Sequence, residues 1–172
     1  SITSTMQQEA SKALNFSTVK TMRIAQQLYE GITVKGHGTI GLITYLRTDS
    51  TRVSEDAHKA ALNYIRTNYS EEYVNSSVST AGSGKKIQDA HEAIRPTSLA
   101  NSPEKIKDSL TNDQYRLYRL IYYRALASLM ANVKLYSTTV TFTSKDYDFT
   151  ASGSVMVFDG YLKAYREYES SK

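Results

Sequence analysis

The chain has 172 residues and a mass of 19.3 kDa, with no cysteine and three scattered histidines, so disulfides and thiolate metal sites are excluded and a zinc site is disfavoured. Its 21 Lys and Arg against 17 Asp and Glu give a net charge of +4, which permits an anionic partner without requiring one. No apolar run approaches the ~20 residues that cross a bilayer, so no membrane partner is expected.

The N-terminal residues, Ser1-Ile2-Thr3, lack an initiator methionine, and a piece of a longer protein is expected. Ser4 and Gln7 have capping-box spacing for a first helix whose apolar face carries Met6, Ala10, Ala13 and Leu14. Asn15-Phe16-Ser17 breaks that pattern. A second helix follows with Val19, Met22, Ala25 and Leu28 as its apolar stripe and Gly31 as its stop. Ile32 and Val34 flank Gly36-His37-Gly38 as a hairpin or wing, and Leu42 to Tyr45 is short and β-prone. Ser54 is placed to cap a third helix with Ala57, Ala61, Tyr64 and Ile65 on one face.

A small, polar loop, NSSVSTAGSGKK, leads to QDAHEAIRPT. Ser102-Pro103 opens a short helix, and Thr111 with Gln114 makes a capping box for the longest one, expected to run to about Asn132 with Leu117, Ile121, Ala125 and Leu129 apolar. After Lys134 the pattern becomes period-2 and β-branched through YSTTVTFTS, YDFTASG and VMVFDGYLKAY, with turns at Ser144-Lys145-Asp146 and Asp159-Gly160. The expected fold class is therefore α+β: a mainly helical, winged-helix-like domain over residues 1–133, then an incomplete antiparallel β segment over 134–172.

Tyrosine is abundant, 14 residues against 4 Phe and no Trp, and packing is the expected role of any single one. The richest chemistry lies in GLITYLRTDSTRVSEDA. If the backbone is extended there, Tyr45 and Arg47 project from the same side. An adjacent cation favours the ionised phenol, and a guanidinium can grip a phosphate in a bidentate fork. Asp49 could orient that guanidinium, or serve only as a turn residue. On spacing alone, a core tyrosine followed by a turn is the plainer reading. His91 and Arg95, four apart before Pro96, form a second cluster that could meet phosphate or be merely solvated. Lys85, Lys86, Arg116, Arg119 and Arg124 could line a backbone-tracking groove.

GLITYLRTDSTRVSEDA and QDAHEAIRPT together resemble the type IA DNA topoisomerases, typified by bacterial topoisomerase I. The flanking TSTMQQEASKALNFS and QYRLYRLIYYRALASLMA fit the same order, so the resemblance covers essentially the whole chain. It implies that Tyr45 is the nucleophile that cleaves one DNA strand through a 5′-phosphotyrosyl link. Strand passage and religation then relax negatively supercoiled DNA without ATP. It implies further that Arg47 binds the scissile phosphate or its neighbour and that His91 assists there. Thr48 and Asp49 would be supporting residues, and Arg95 would join Arg47 and His91 in binding DNA. Leu46 stands where the family commonly has methionine.

The family's metal site is an acidic Toprim cluster, and no D-x-D-x-E pattern occurs in these residues. Mg²⁺ is thus expected in the full-length enzyme and no cofactor in this chain, which alone would be inactive or nearly so. Residues 134–172 would belong to the β-rich arch that lifts the helical domain. Expected partners are single-stranded DNA and the remaining domains of the same polypeptide, in the cytoplasm with the nucleoid. A monomer is expected, with self-association through exposed strands as its hazard. The alternative is a non-catalytic, winged-helix-like DNA-binding module; a structural domain whose tyrosines are all core is the remoter rival.

Overall fold

The computed structural model describes residues 2–44, 55–74, 94–130, 134–144 and 147–170. The Ser54 cap, the loop over 75–86, Asn132 and Lys145-Asp146 lie outside them. The architecture is α+β and mainly helical, as expected. In chain order it runs α1 (Ile2–Leu14), α2 (Thr18–Glu30), β1 (Ile32–Val34), β2 (Gly38–Ile40) and α3 (Glu55–Asn68). A 3₁₀ turn (Glu71–Tyr73), α4 (Pro103–Ile106), a second 3₁₀ turn (Lys107–Ser109) and α5 (Asn112–Leu129) follow. The chain then forms β3 (Lys134–Ser144), β4 (Tyr147–Phe158) and α6 (Leu162–Ser170).

Helix α1 buries Met6, Ala10 and Leu14, whereas Ala13 is exposed. It begins at Ile2, so Ser4 and Gln7 lie inside the helix instead of capping it; once nucleated, a helix gains a hydrogen bond per residue by extending. Asn15 takes the left-handed conformation (φ 57°) that turns the chain, and Ser17 caps α2 by accepting from the Lys20 N–H at 3.1 Å. The face that α2 buries differs from the expected stripe: Thr21, Ile24, Ala25 and Leu28 point inward while Val19 is 78% exposed. Thr21 can be buried because its hydroxyl donates to the Ser17 carbonyl at 2.9 Å.

Gly31 stops α2 at φ 136°, as expected, and a Cβ there would lie 2.8 Å from Thr39 Cγ2. The predicted hairpin forms, with Ile32 opposite Ile40 and Val34 opposite Gly38.

Pro103 sits in the first turn of α4, and the Thr111–Gln114 capping box is complete, with bonds of 3.0 and 3.2 Å. Thr111→Ala should therefore destabilise the fold by about 1 kcal/mol, readable as a lowered urea midpoint with an unchanged m-value. Helix α5 ends at Leu129, short of Asn132, because Met130 becomes extended and bridges Val74. It is the axis of the core, contacting α1, α2, α4 and α6.

Three of its tyrosines are buried with their hydroxyls occupied. Tyr118 donates to the Asn101 carbonyl (2.6 Å), Tyr122 to that of Leu99 (2.7 Å), and Tyr123 to Glu104 Oε1 (2.8 Å). Burial pushes all three phenols up, with the Glu104 contact adding to the effect at Tyr123 and the Tyr64 contact at Tyr122. A raised folded-state value stabilises the fold below the ordinary tyrosine pKa near 10 and is lost progressively as pH rises above it. Alkaline titration should accordingly show two tyrosinate steps, the second coincident with loss of helical circular dichroism. A single step near pH 10 with the helices intact would contradict this packing.

Strands β3 and β4 pair antiparallel from Ser144↔Tyr147 to Lys134↔Phe158, with a register shift at Lys134/Leu135. The expected strand character of VMVFDGYLKAY stops at Phe158. Asp159-Gly160 turns the chain, Gly160 being left-handed (φ 50°), into a helix instead of another strand. Ala164 and Tyr168, four apart, are buried on the inner face of α6, and α5 is the element it contacts most. That docking overrides the local β propensity.

Candidate active site and nucleic-acid groove

Gly41 passes so close to the end of α2 that a Cβ would lie 2.8 Å from the Tyr29 carbonyl oxygen. The Leu42 N–H then donates to the Leu28 carbonyl at 2.8 Å, and Leu42 and Ile43 are fully buried. This short extended run meets residues 95–97 antiparallel. Ile43 lies opposite Pro96, flanked by Thr44 N–H to Arg95 carbonyl (2.9 Å) and Thr97 N–H to Leu42 carbonyl (3.0 Å). In such a non-hydrogen-bonded pair the inner residues need no N–H toward each other, which is why a proline is tolerated there. Two side chains reinforce the join: the Arg95 N–H donates to Thr44 Oγ1 (3.1 Å) and the Thr97 hydroxyl to the Gly41 carbonyl (2.7 Å).

The two motifs singled out in the sequence, about fifty residues apart, are thus hydrogen-bonded together along their described flanks. Tyr45, Arg47, Thr48, Asp49 and His91 themselves lie outside the described residues. Thr44 immediately precedes Tyr45, and Ile94, buried, follows three residues after His91.

Arg95 is the one predicted site residue among those described. It is half-buried, burial draws its pKa below the usual arginine value, and no carboxylate pairs with it among the described residues. It remains a cation at neutral pH. Arg95 lines a groove of about 510 Å³ that also includes Thr44, Pro96 to Ala100 and one face of α3. That face carries Ala57, Ala60, Ala61, Tyr64 and Asn68, at the i, i+3, i+4, i+7, i+11 spacing of one helical stripe.

The sequence places Ala57, Ala61, Tyr64 and Ile65 on one helical face. Ile65 and Leu62 are buried, but Ala57 is exposed and Ala61 and Tyr64 are half-buried beside the groove. Ala60, Asn63, Thr67 and Asn68 went unremarked. Their only sequence signal was the run of small and amide residues on the flank of the apolar stripe.

The basic residues of α5 are committed elsewhere. Arg119 is 3% exposed, donates to the Tyr168 carbonyl and lies 4.3 Å from that ring's centroid. Arg124 pairs with Glu9 at 3.3 Å, and Arg116 donates to the Leu14 carbonyl at 3.2 Å. They hold α1 and α6 against α5, with Arg116 and Arg124 still partly exposed; Lys85 and Lys86 lie outside the described residues. Among the described residues, no three His, Asp or Glu side chains come together as a metal-ligand set, and no helix is long and apolar enough to cross a membrane.

The family profile for DNA topoisomerase matches residues 2–172. The solved structure of full-length topoisomerase I from Thermotoga maritima is similar over 95% of this chain, at 44% identity and a TM-score of 0.72. The chain belongs to the type IA DNA topoisomerase family of bacteria. It spans about a quarter of the Thermotoga protein, 26% of that chain.

Proposed function

We propose that the chain is the nucleophile-bearing part of a type IA topoisomerase that relaxes negatively supercoiled DNA. The supporting observation is the backbone join between Leu42–Thr44 and Arg95–Thr97, which ties the flanks of the Tyr45 and His91 motifs to each other. In the proposed step, the Tyr45 oxygen attacks a phosphodiester of single-stranded DNA. A new phosphorus–oxygen bond forms to tyrosine, and the bond to the 3′ oxygen breaks. The leaving 3′ oxygen takes up a proton, and the phenol loses one. The phosphate stays on tyrosine as a 5′-phosphotyrosyl ester of nearly unchanged bond energy, so the free 3′-hydroxyl can reverse the reaction without ATP.

Arg47 holds the scissile phosphate and favours the ionised phenol; His91 hydrogen-bonds nearby; Arg95 contacts the DNA beside them. Thr48 and Asp49 support Arg47. In the full-length enzyme Mg²⁺ would supply charge neutralisation at phosphate; among the described residues of this chain no three His, Cys, Asp or Glu side chains gather as a ligand set. The buried phenols of Tyr118, Tyr122 and Tyr123 are poor alternative nucleophiles, because their surroundings favour the neutral form.

We assign residues 1–133 to the tyrosine domain and 134–172 to the arch, with α6 docking the second segment back onto the first. The partners are single-stranded DNA and the rest of the polypeptide, in the nucleoid-bearing cytoplasm, and the protein is a monomer whose hairpin edges can self-pair.

Anisotropy of a labelled oligonucleotide tests the reading. Single strands should bind better than duplex, more weakly at higher salt, and more weakly again with Arg47→Ala. Duplex preference indifferent to Arg47 would instead favour a winged-helix-like binding module.

A further inference from the structure

The groove between α3 and residues 95–100 offers more than a phosphate contact. Its polar groups are already oriented by hydrogen bonds. Tyr122 has one hydroxyl proton, and the Leu99 carbonyl takes it at 2.7 Å. The same hydroxyl is directed at that of Tyr64, 3.2 Å away, as the weaker arm of a shared proton, so Tyr64 accepts there and keeps its own proton as a donor. The Asn68 amide nitrogen donates to the Tyr64 carbonyl (3.0 Å), leaving its oxygen as an acceptor. Asn63 accepts from Arg66 at 3.2 Å and keeps its amide nitrogen as a donor. Between these groups α3 presents Ala57, Ala60 and Ala61 to the groove, and Arg95 also lines it.

A cation, a face of small apolar side chains, and oriented donors and acceptors around about 510 Å³ suit one nucleotide, with phosphate, sugar and base each matched. The groove also reaches Thr44, the residue before Tyr45.

Resting on the function proposed above, we infer that this groove holds the nucleotide on the 5′-phosphotyrosyl side of the cut, with Arg95 on its phosphate and the α3 face against its sugar and base. Asn63, Tyr64 and Asn68 then bias which base is accepted immediately downstream of the cleavage site.

The test fills the groove without touching the chemistry. Ala60→Leu adds bulk at an exposed helical position, where leucine is well tolerated, and Thr67→Leu is an independent second filler whose hydroxyl has no hydrogen-bond partner among the described residues. Binding of a short 5′-phosphorylated single strand to the 172-residue chain should weaken about fivefold or more in each filled variant, with helical content unchanged. In the full-length enzyme, the distribution of bases immediately downstream of the cut should change in the same variants. Arg95→Gln should remove most of the preference for 5′-phosphorylated over unphosphorylated strands, about tenfold.

Normal binding and an unchanged cleavage-site distribution in both filled variants would overturn the inference, while loss of cleavage in Tyr45→Phe would leave the nucleophile assignment standing. Cleavage that persists in Tyr45→Phe would remove the assignment itself, and the subsite with it.

Discussion

Tyr45→Phe in the full-length polypeptide is expected to abolish the covalent protein–DNA adduct, lowering supercoil relaxation by about a thousandfold or more. The change removes one oxygen and leaves the ring, so folding and strand binding should be nearly unaffected. Tyr64→Phe is the informative control: it also loses one hydroxyl, near the same groove, yet should still form the adduct. The measurement is denaturing electrophoresis of an end-labelled oligonucleotide after quenching with detergent. Equal loss of adduct in both variants, with melting unchanged, would show that the nucleophile has been misassigned.

Arg119→Ala carries the largest expected effect on stability among the charged residues of α5. The side chain is 3% exposed, donates to the Tyr168 carbonyl, and sits 4.3 and 5.7 Å from the Tyr168 and Tyr115 ring centroids. Truncation leaves a cavity between two rings and a carbonyl without its donor, at a cost of about 3 kcal/mol. For a chain of this size that lowers the melting temperature by roughly 6–12 °C. Helix α6 has only nine residues and depends on this docking, so its amides should lose exchange protection first. Arg119→Lys should recover little, because an ammonium cannot stack flat on tyrosine and donate to the carbonyl in the same way. Arg116→Ala, three residues away and half-exposed, should cost less than half as much.

The contrast between those two arginines shows what the sequence makes legible. Arg116 and Arg119 are indistinguishable by type and spacing; only the return of α6 onto α5 decides which is buried. Features set within a few residues were readable: the Thr111–Gln114 box, the Gly31 stop, Pro103 at a helix start. The strand pattern of β3 and β4 was readable for the same reason, and it failed after Asp159-Gly160 because docking on α5, distant in sequence, makes 162–170 helical. The groove escaped notice because Ala57, Ala61 and Tyr64 keep the spacing of a core stripe, and spacing cannot say whether the neighbouring element closes over it. Residue type and spacing single out Tyr45, Arg47 and His91, resemblance supplies their roles, and what the structure adds is the pairing of their flanks through Thr44 and Arg95.

The base of the β3–β4 hairpin bears on how force would travel through the molecule. The chain enters the hairpin after Met130, which bridges Val74, and leaves it through Phe158 and Asp159. Phe158 packs on the Tyr73 ring at 4.8 Å, and Asp159 accepts from the Tyr73 hydroxyl at 2.6 Å. The Asp159 bond, ahead of burial, raises the Tyr73 phenol to about 12, so this tie persists across the neutral range. Both legs of the hairpin are therefore moored to one point, two consecutive residues just beyond α3. A load applied along the strands would be passed to Tyr73 and Val74, five and six residues past the end of the helix that walls the groove.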